Sequence, residues 1–410
     1  MSGPVRIAVT TIVRGSSLEV PSGSLRVMDL EAGTELARAP VPDALHRALD
    51  DNPRGGLRGG RGLAVAGDRL AMAINDRILV LDRGWRLVRV LSHPWMGGVH
   101  DLAADPDGIW VTCADNDLVL RIGWDGELRR AWHWRADAAF REALGHGWLP
   151  GFERDVDNRD PFAGGLRLEL GHVNAIARDG DRVLVGLGLV RPPVPLGRPI
   201  ARALTYRAIR RMGLERAARA AVVRWAGSPI RRELQRRLTR RAARSVTPGG
   251  LNFAAGPQER PGWTWAIAEL GPDGARIAAR HPVRGLPVHN LALDTGRLVV
   301  NDSPGARVVA VDRSSGAIVR SVGLPGEFPY PRGLARLPDG CFVVGTQRSA
   351  AVHLVDLDAG RVMRTIELPD NQGESPYAIV VLPESFEEPS GRLPLTRAGW
   401  GIAGGDASGA

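Results

Sequence analysis

Residues 61–73 read RGLAVAGDRLAMA: an apolar run, a Gly-Asp turn and a second apolar run. Two short runs joined by so tight a turn predict a pair of antiparallel strands. The phrase returns as HDLAADPDGIWVT (100–112), HVNAIARDGDRVLVG (172–186), HNLALDTGRLVVN (289–301) and RGLARLPDGCFVV (332–344). A shorter sixth copy, YAIVVLP, spans 377–383. The first apolar anchors are Leu63, Leu102, Ile176, Leu291 and Leu334. Each is answered across its turn by Leu70, Ile109, Val183, Leu298 or Cys341.

Each full copy continues into two more short runs, such as RILVL and WRLVRVL after the first and RVVAV and AIVRSV after the fourth. The unit is four short strands. Its period is close to 40 residues where no insertion intervenes: Leu63 to Leu102 is 39, Leu291 to Leu334 is 43 and Leu334 to Ile379 is 45. A four-stranded repeat of that length predicts the blade of a β-propeller, and six copies predict six blades. The sixth copy has no strands after it, whereas the N-terminus carries three unassigned runs, VRIAVTTIVR, SLRVMDLEAG and ELARAPV. The expected architecture is therefore an all-β six-bladed propeller over 1–386. Its closing blade joins 5–42 to 376–383, which leaves no open sheet edge. Residues 387–410 are expected to be a flexible tail.

Two segments exceed the period: an inter-blade insertion at 136–171 and a longer one at 188–262, inside the third blade. Both fall in loops on the face where the first strand of each blade begins, so both are expected to cover that mouth of the channel. The longer one carries the charge. It holds sixteen Arg from Arg191 to Gly249 against only Glu215 and Glu233, while the whole chain is +9. Ser228-Pro229 is a helix start, and Ile230, Leu234, Leu238, Ala242 and Val246 follow at i+4 spacing. A basic amphipathic helix of this kind can fold down as a lid or dock on an anionic membrane surface or an acidic protein. With only Tyr206 and Trp225 to stack on bases, it argues against nucleic acid.

Composition adds compartment. Only Cys113 and Cys341 occur, too few for a disulfide framework. MSGPVRIAVTTIVRG has no basic n-region or cleavage site, and no apolar run reaches membrane length. A cytoplasmic protein is expected, peripheral to a membrane if the arginines dock there.

The residue two before each apolar anchor carries the chemistry. In blade order these are Arg61, His100, Asn174, His289, Arg332 and Tyr377, six hydrogen-bonding side chains at one level. Strand parity sends residues i and i+2 the same way, so His172 is expected beside Asn174. Any one of them alone is ordinarily structural. As a set beneath two insertions, they point to a ligand site. Two guanidiniums among imidazoles favour a small anionic ligand. Neutral His with Asn can also hold a metal, but no carboxylate stands at this level and no metal is assigned. No particular cofactor is named by these residues.

His100-Asp101, His172-Val173-Asn174 and His289-Asn290 on successive inner strands resemble the motifs of bacterial arylsulfotransferases. WDGELRRAWHW after the first is similar to a strand of the same family. The H-x-N element also resembles uncharacterised cytoplasmic bacterial propellers. The first resemblance implies a six-bladed propeller in which His289 accepts a sulfuryl group while His100, His172 and Asn174 bind or polarise the anion. Arg61, Arg332 and Tyr377 complete the ligand-binding set. Two functions stay open at this point. One is histidine-centred group transfer or hydrolysis (sulfotransferase-like, or lactonase). The other is a non-catalytic binding or scaffold propeller that docks through 191–249.

Overall fold

A computed structural model of the chain describes residues 4–13, 23–40, 59–146, 170–192, 208–209, 212–214, 217, 262–272, 274–283, 286–369, 373–389 and 391–393. Six antiparallel sheets make up this structure. Blade I comprises Leu63–Ala66, Arg69–Ala73, Ile78–Leu81 and Leu87–Leu91; blade II comprises Val99–Asp105, Gly108–Cys113, Leu118–Gly123 and Leu128–His133. Blade III runs through Val173–Asp179, Arg182–Val190, Thr264–Gly271 and Gly274–Pro282. Blade IV takes His289–Asp294, Arg297–Asp302, Arg307–Asp312 and Ile318–Gly323. Blade V takes Pro331–Arg336, Phe342–Thr346, Ala351–Asp356 and Arg361–Glu367. In blade VI the inner strand is Glu374–Val381, and Arg6–Val13, Ser24–Asp29 and Thr34–Pro40 follow outward. Each inner strand touches the next around the ring, and the inner strand of blade VI touches that of blade I. The fold is the six-bladed propeller.

The core is six wedges rather than one mass, because each apolar cluster fills the gap between two consecutive blades. Successive residues of one strand serve opposite wedges: Trp110 packs toward blade III and Val111 toward blade I. A strand buried on both faces needs no polar alternation, which is why Gly108–Cys113 is apolar or neutral throughout and wholly buried. The outer strands, by contrast, are exposed along their middles. There an arginine recurs opposite the residue that precedes a β-bulge: Arg89, Arg130 and Arg364. Each donates to a carbonyl of the next blade: Trp124 O at 2.6 Å, Gly271 O at 3.2 Å, and Leu30 O at 3.0 Å with Glu31 O at 2.8 Å.

The two ends of the chain close the ring through a register that pairs Ile7 with Val381 and Val13 with Glu374. Beneath this seam Arg26, fully buried, reaches Glu374 through Nε (3.0 Å) and Nη2 (2.9 Å) and Glu35 through Nη1 (2.6 Å). The C-terminal stretch expected to be free from 387 is packed as far as Leu393. Gly391–Arg392 adds a short parallel strand to the outer edge of blade VI, and Leu393 is buried there. Covering that edge satisfies backbone groups that the four-stranded blade leaves open.

At the start of the inter-blade insertion Ala138–Ala143 forms a helix, capped by Asp137 accepting from Phe140 N at 3.0 Å. The basic helix predicted from Ser228 lies outside the described residues, as do most of both insertions. Among the described residues no helix is long and apolar enough to cross a membrane. Both cysteines are free, and burial pushes the Cys113 thiol up to about 12, which keeps it inert.

Candidate functional site at the channel mouth

All six inner strands break their pairing at the same level. A bulge falls at 100–101, 174, 290, 332–333 and 377, where two inner-strand residues oppose one on the neighbouring strand. In blade I Ala73 alone bonds both Arg61 N and Gly62 O, which makes the same offset. A bulge re-aims side chains, so this level is where parity arguments fail and where a propeller can turn groups into its channel.

The rings that meet there come from consecutive blades. His100 and His172 stand edge-to-face at 4.9 Å between centroids, and His172 and His289 at 6.0 Å. Tyr377 lies 5.9 Å from His100, with the Arg332 guanidinium 4.5 Å over its face. Arg332 in turn reaches His289 Nε2 at 2.5 Å. The mouth is thus divided into a histidine arc (His100, His172, His289 of blades II, III and IV) and a cationic arc. The cationic arc is Arg332, Tyr377 and Arg61 of blades V, VI and I.

Hydrogen bonds set the imidazole tautomers. His100 Nδ1 lies 2.7 Å from Gly98 O, and a carbonyl only accepts, so Nδ1 carries the proton and Nε2 is left as the acceptor. Gly98 can offer its carbonyl this way because it sits at φ +59, and a Cβ there would meet the Asp115 carboxylate at 2.3 Å. Ser303 gives its hydroxyl proton to Pro331 O at 2.7 Å, so its oxygen receives Nδ1–H of His289 at 2.8 Å. The His289 Nε2 lone pair is then the one that Arg332 holds. Burial, then the neighbouring His172, Arg61 and Arg332, push the His100 imidazole well below its usual pKa, so it is neutral at pH 7. His100 nevertheless keeps part of its surface open to the channel.

Arg61 and Arg332 are 6% and 5% exposed. Arg61 sends Nη1 to Val99 O at 2.8 Å, and Arg332 Nε has no hydrogen-bond partner among the described residues. Neither has a carboxylate at ion-pair distance among the described residues. A buried guanidinium without a counter-charge is unfavourable by itself.

Asn174 does not join the rings. Its Nδ2 donates to Val288 O of blade IV at 2.7 Å, as Arg61 donates to Val99 O of blade II. Both therefore hold the residue immediately before a ring histidine. Gly188 allows this closeness: a Cβ there would stand 2.3 Å from Val288 O and 2.6 Å from Asn174 Nδ2. Gly188→Ala must push Val288 and hence His289 outward. A loss of about 1–3 kcal/mol in urea unfolding is expected from such overpacking; an unchanged midpoint would show that the seam has slack.

The residues following the ring histidines also act across blades. Asp101 accepts from Leu102 N at 3.0 Å and Ile176 N at 3.3 Å; Asn290 Oδ1 accepts from Gly333 N at 2.8 Å. The groups that meet Nδ1 of His100 and of His289 are Gly98 O and Ser303 Oγ. Below this level the inner strands line an open cavity of about 360 Å³, with Asp101 and Asn290 among its lining residues.

Tyr330 escaped the sequence reading. It is 3% exposed, 5.6 Å from His289, and lies under Arg332 at 5.8 Å. Its signal was present: it precedes Arg332 by two, as His172 precedes Asn174, and both have positive φ (50 and 47). Ser303 also escaped, since only cross-strand pairing of His289 with Asn301 brings it near. Of the acidic residues near the ends of the second strands, Asp76 pairs with Arg77 and Asp302 with Arg307. Among the described residues no group of three or more His, Cys, Asp or Glu side chains is placed to hold a metal ion.

No family model matches the sequence, and no curated protein matches it. Solved structures do. A protein of unknown function from Bacteroides caccae superposes with TM-score 0.50 at 12% identity, covering 93% of this chain and 100% of its own. A chain of a nidogen/laminin complex gives 0.49 at 12%, covering 92% and 98%. Virginiamycin B lyase from Staphylococcus aureus gives 0.41 at 11%, covering 78% and 73%. At such identities the likeness concerns the fold.

Proposed function

We propose that the chain binds a small anionic molecule at the channel mouth, its anionic group seated against Arg61, Tyr377 and Arg332 and the rest facing the histidine arc. The observation that carries this reading is the pair of buried guanidiniums without a carboxylate partner among the described residues. An oxyanion bonded by both supplies the missing charge through charge-assisted hydrogen bonds. If the site is catalytic, the reactive nitrogen is Nε2 of His100 rather than that of His289. His289 Nε2 is held by Arg332, whereas His100 has its tautomer set by Gly98 and its acceptor nitrogen directed away from that bond. His289 is then a positioning residue for Arg332. Histidine-centred transfer or hydrolysis needs an imidazole that can take or give a proton beside cationic donors, and the two arcs supply both.

The test is ligand-induced stabilisation across a panel of acetate, phosphate, sulfate and an aryl phosphate. An anion that binds the fold raises its melting temperature with concentration. Arg332→Gln and Arg61→Gln, each referred to its own unliganded midpoint, are expected to weaken binding roughly 10–100-fold by loss of a charged hydrogen bond. Equal stabilisation of wild type and both variants would overturn the reading. A role for 191–249 in docking to an anionic membrane surface or acidic protein is a separate proposal, on residues mostly outside those described.

A further inference from the structure

We infer that the anion seated at the mouth is a dianion, and that its binding draws a proton onto Nε2 of His100. This rests on the anion-site reading above and extends it to the charge of the ligand and its coupling to pH.

The geometry fixes the charges that His100 faces. Arg61, from the entry to blade I, bonds Val99 O beside His100; Arg332 comes from blade V, Tyr377 from blade VI and His172 from the entry to blade III, with His289 beyond His172. Asp101, next in sequence, gives its oxygens to Leu102 N and Ile176 N instead. The mouth thus holds two fixed positive charges and an imidazole whose acceptor nitrogen has no proton. Two guanidiniums balance a group with two negative charges, such as a phosphate monoester or sulfate; a carboxylate leaves one in excess. Burial, then His172 and these same two cations, keep His100 neutral. Once a dianion compensates them, their repulsion on an imidazolium falls and the anion adds attraction. The new Nε2–H can then donate to an anion oxygen. Proton and anion therefore bind cooperatively, and by linkage each strengthens the other.

Sulfate is a suitable probe because it does not itself titrate near neutral pH. Calorimetric titration of the full chain with sodium sulfate, in buffers of equal pH and different ionisation enthalpy, counts the protons taken up. At about pH 7 the uptake is expected to approach one proton per sulfate, with affinity falling about 10-fold per pH unit as pH rises. His100→Gln should still bind sulfate through Arg61 and Arg332, but with no uptake and a flat pH dependence. Sulfate binding without proton uptake, or uptake that persists in His100→Gln, overturns the coupling and leaves the anion site standing. No sulfate binding by the wild type overturns both.

Discussion

Arg26→Ala is expected to lower the unfolding free energy by about 3–5 kcal/mol, the usual cost of removing one partner from a buried ion pair. Arg26 is fully buried, while Glu374 and Glu35 are 11% and 15% exposed. Glu374 Oε2 also accepts from Thr11 Oγ1 at 2.6 Å and Ser24 Oγ at 2.5 Å, and Arg26 Nη1 donates to Pro369 O at 2.7 Å. Truncating the arginine leaves two largely buried carboxylates with their chief counter-charge gone. That seam is where the N-terminal strands meet the C-terminal one, so the loss falls on ring closure. Arg86, 75% exposed beside Asp82, is the contrast: its removal should cost less than about 1 kcal/mol because water screens the pair. Urea unfolding followed by tryptophan fluorescence measures both. Equal midpoint shifts for the two variants would mean that the seam contributes no more than a surface pair.

The second large effect depends on pH. Burial pushes the Asp101 carboxyl up to about 7, against the smaller opposing pull of the Leu102 and Ile176 amides. The unfolded chain releases that proton near pH 4, whereas the fold keeps it until about pH 7. Between those values the native state binds the extra proton, so stability falls as pH rises and levels off above about 7. Three units correspond to about 4 kcal/mol at most. Asp101→Asn cannot ionise and should abolish this slope. It sacrifices the bond from Leu102 N, worth about 1 kcal/mol, and is expected to be more stable than wild type at pH 8 and no more stable at pH 4. Asn290 already holds the matching position in blade IV as an amide and accepts the next blade's N–H at 2.8 Å. Parallel stability profiles for variant and wild type would place the titrating group elsewhere.

The repeat made the fold legible. Six returns of one phrase, with three orphan runs at the N-terminus, required a ring and its closure, and strands of every blade fall where the periodicity places them. The level of the site was legible too, because Arg61, His100, His289, Arg332 and Tyr377 recur at one offset from each anchor. The orientation of its members was not. The parity rule placed His172 and Asn174 side by side, yet His172 meets the other rings while Asn174 bonds Val288. Parity counts residues, and the bulge at 174 adds one, so the phase changes between them.

What the sequence determined by itself is the architecture and most of the side chains at the mouth, because both follow from a period that local hydrophobic patterning imposes strand by strand. What only the tertiary structure decided is how each of them is held. The partners that set the tautomer of His289 are Ser303, across its own sheet, and Arg332 with the Pro331 carbonyl, on the next blade. The bond that holds Val288 in place spans 114 residues. Such pairings arise where blades close against each other, and no pattern along one strand encodes the neighbour it will meet.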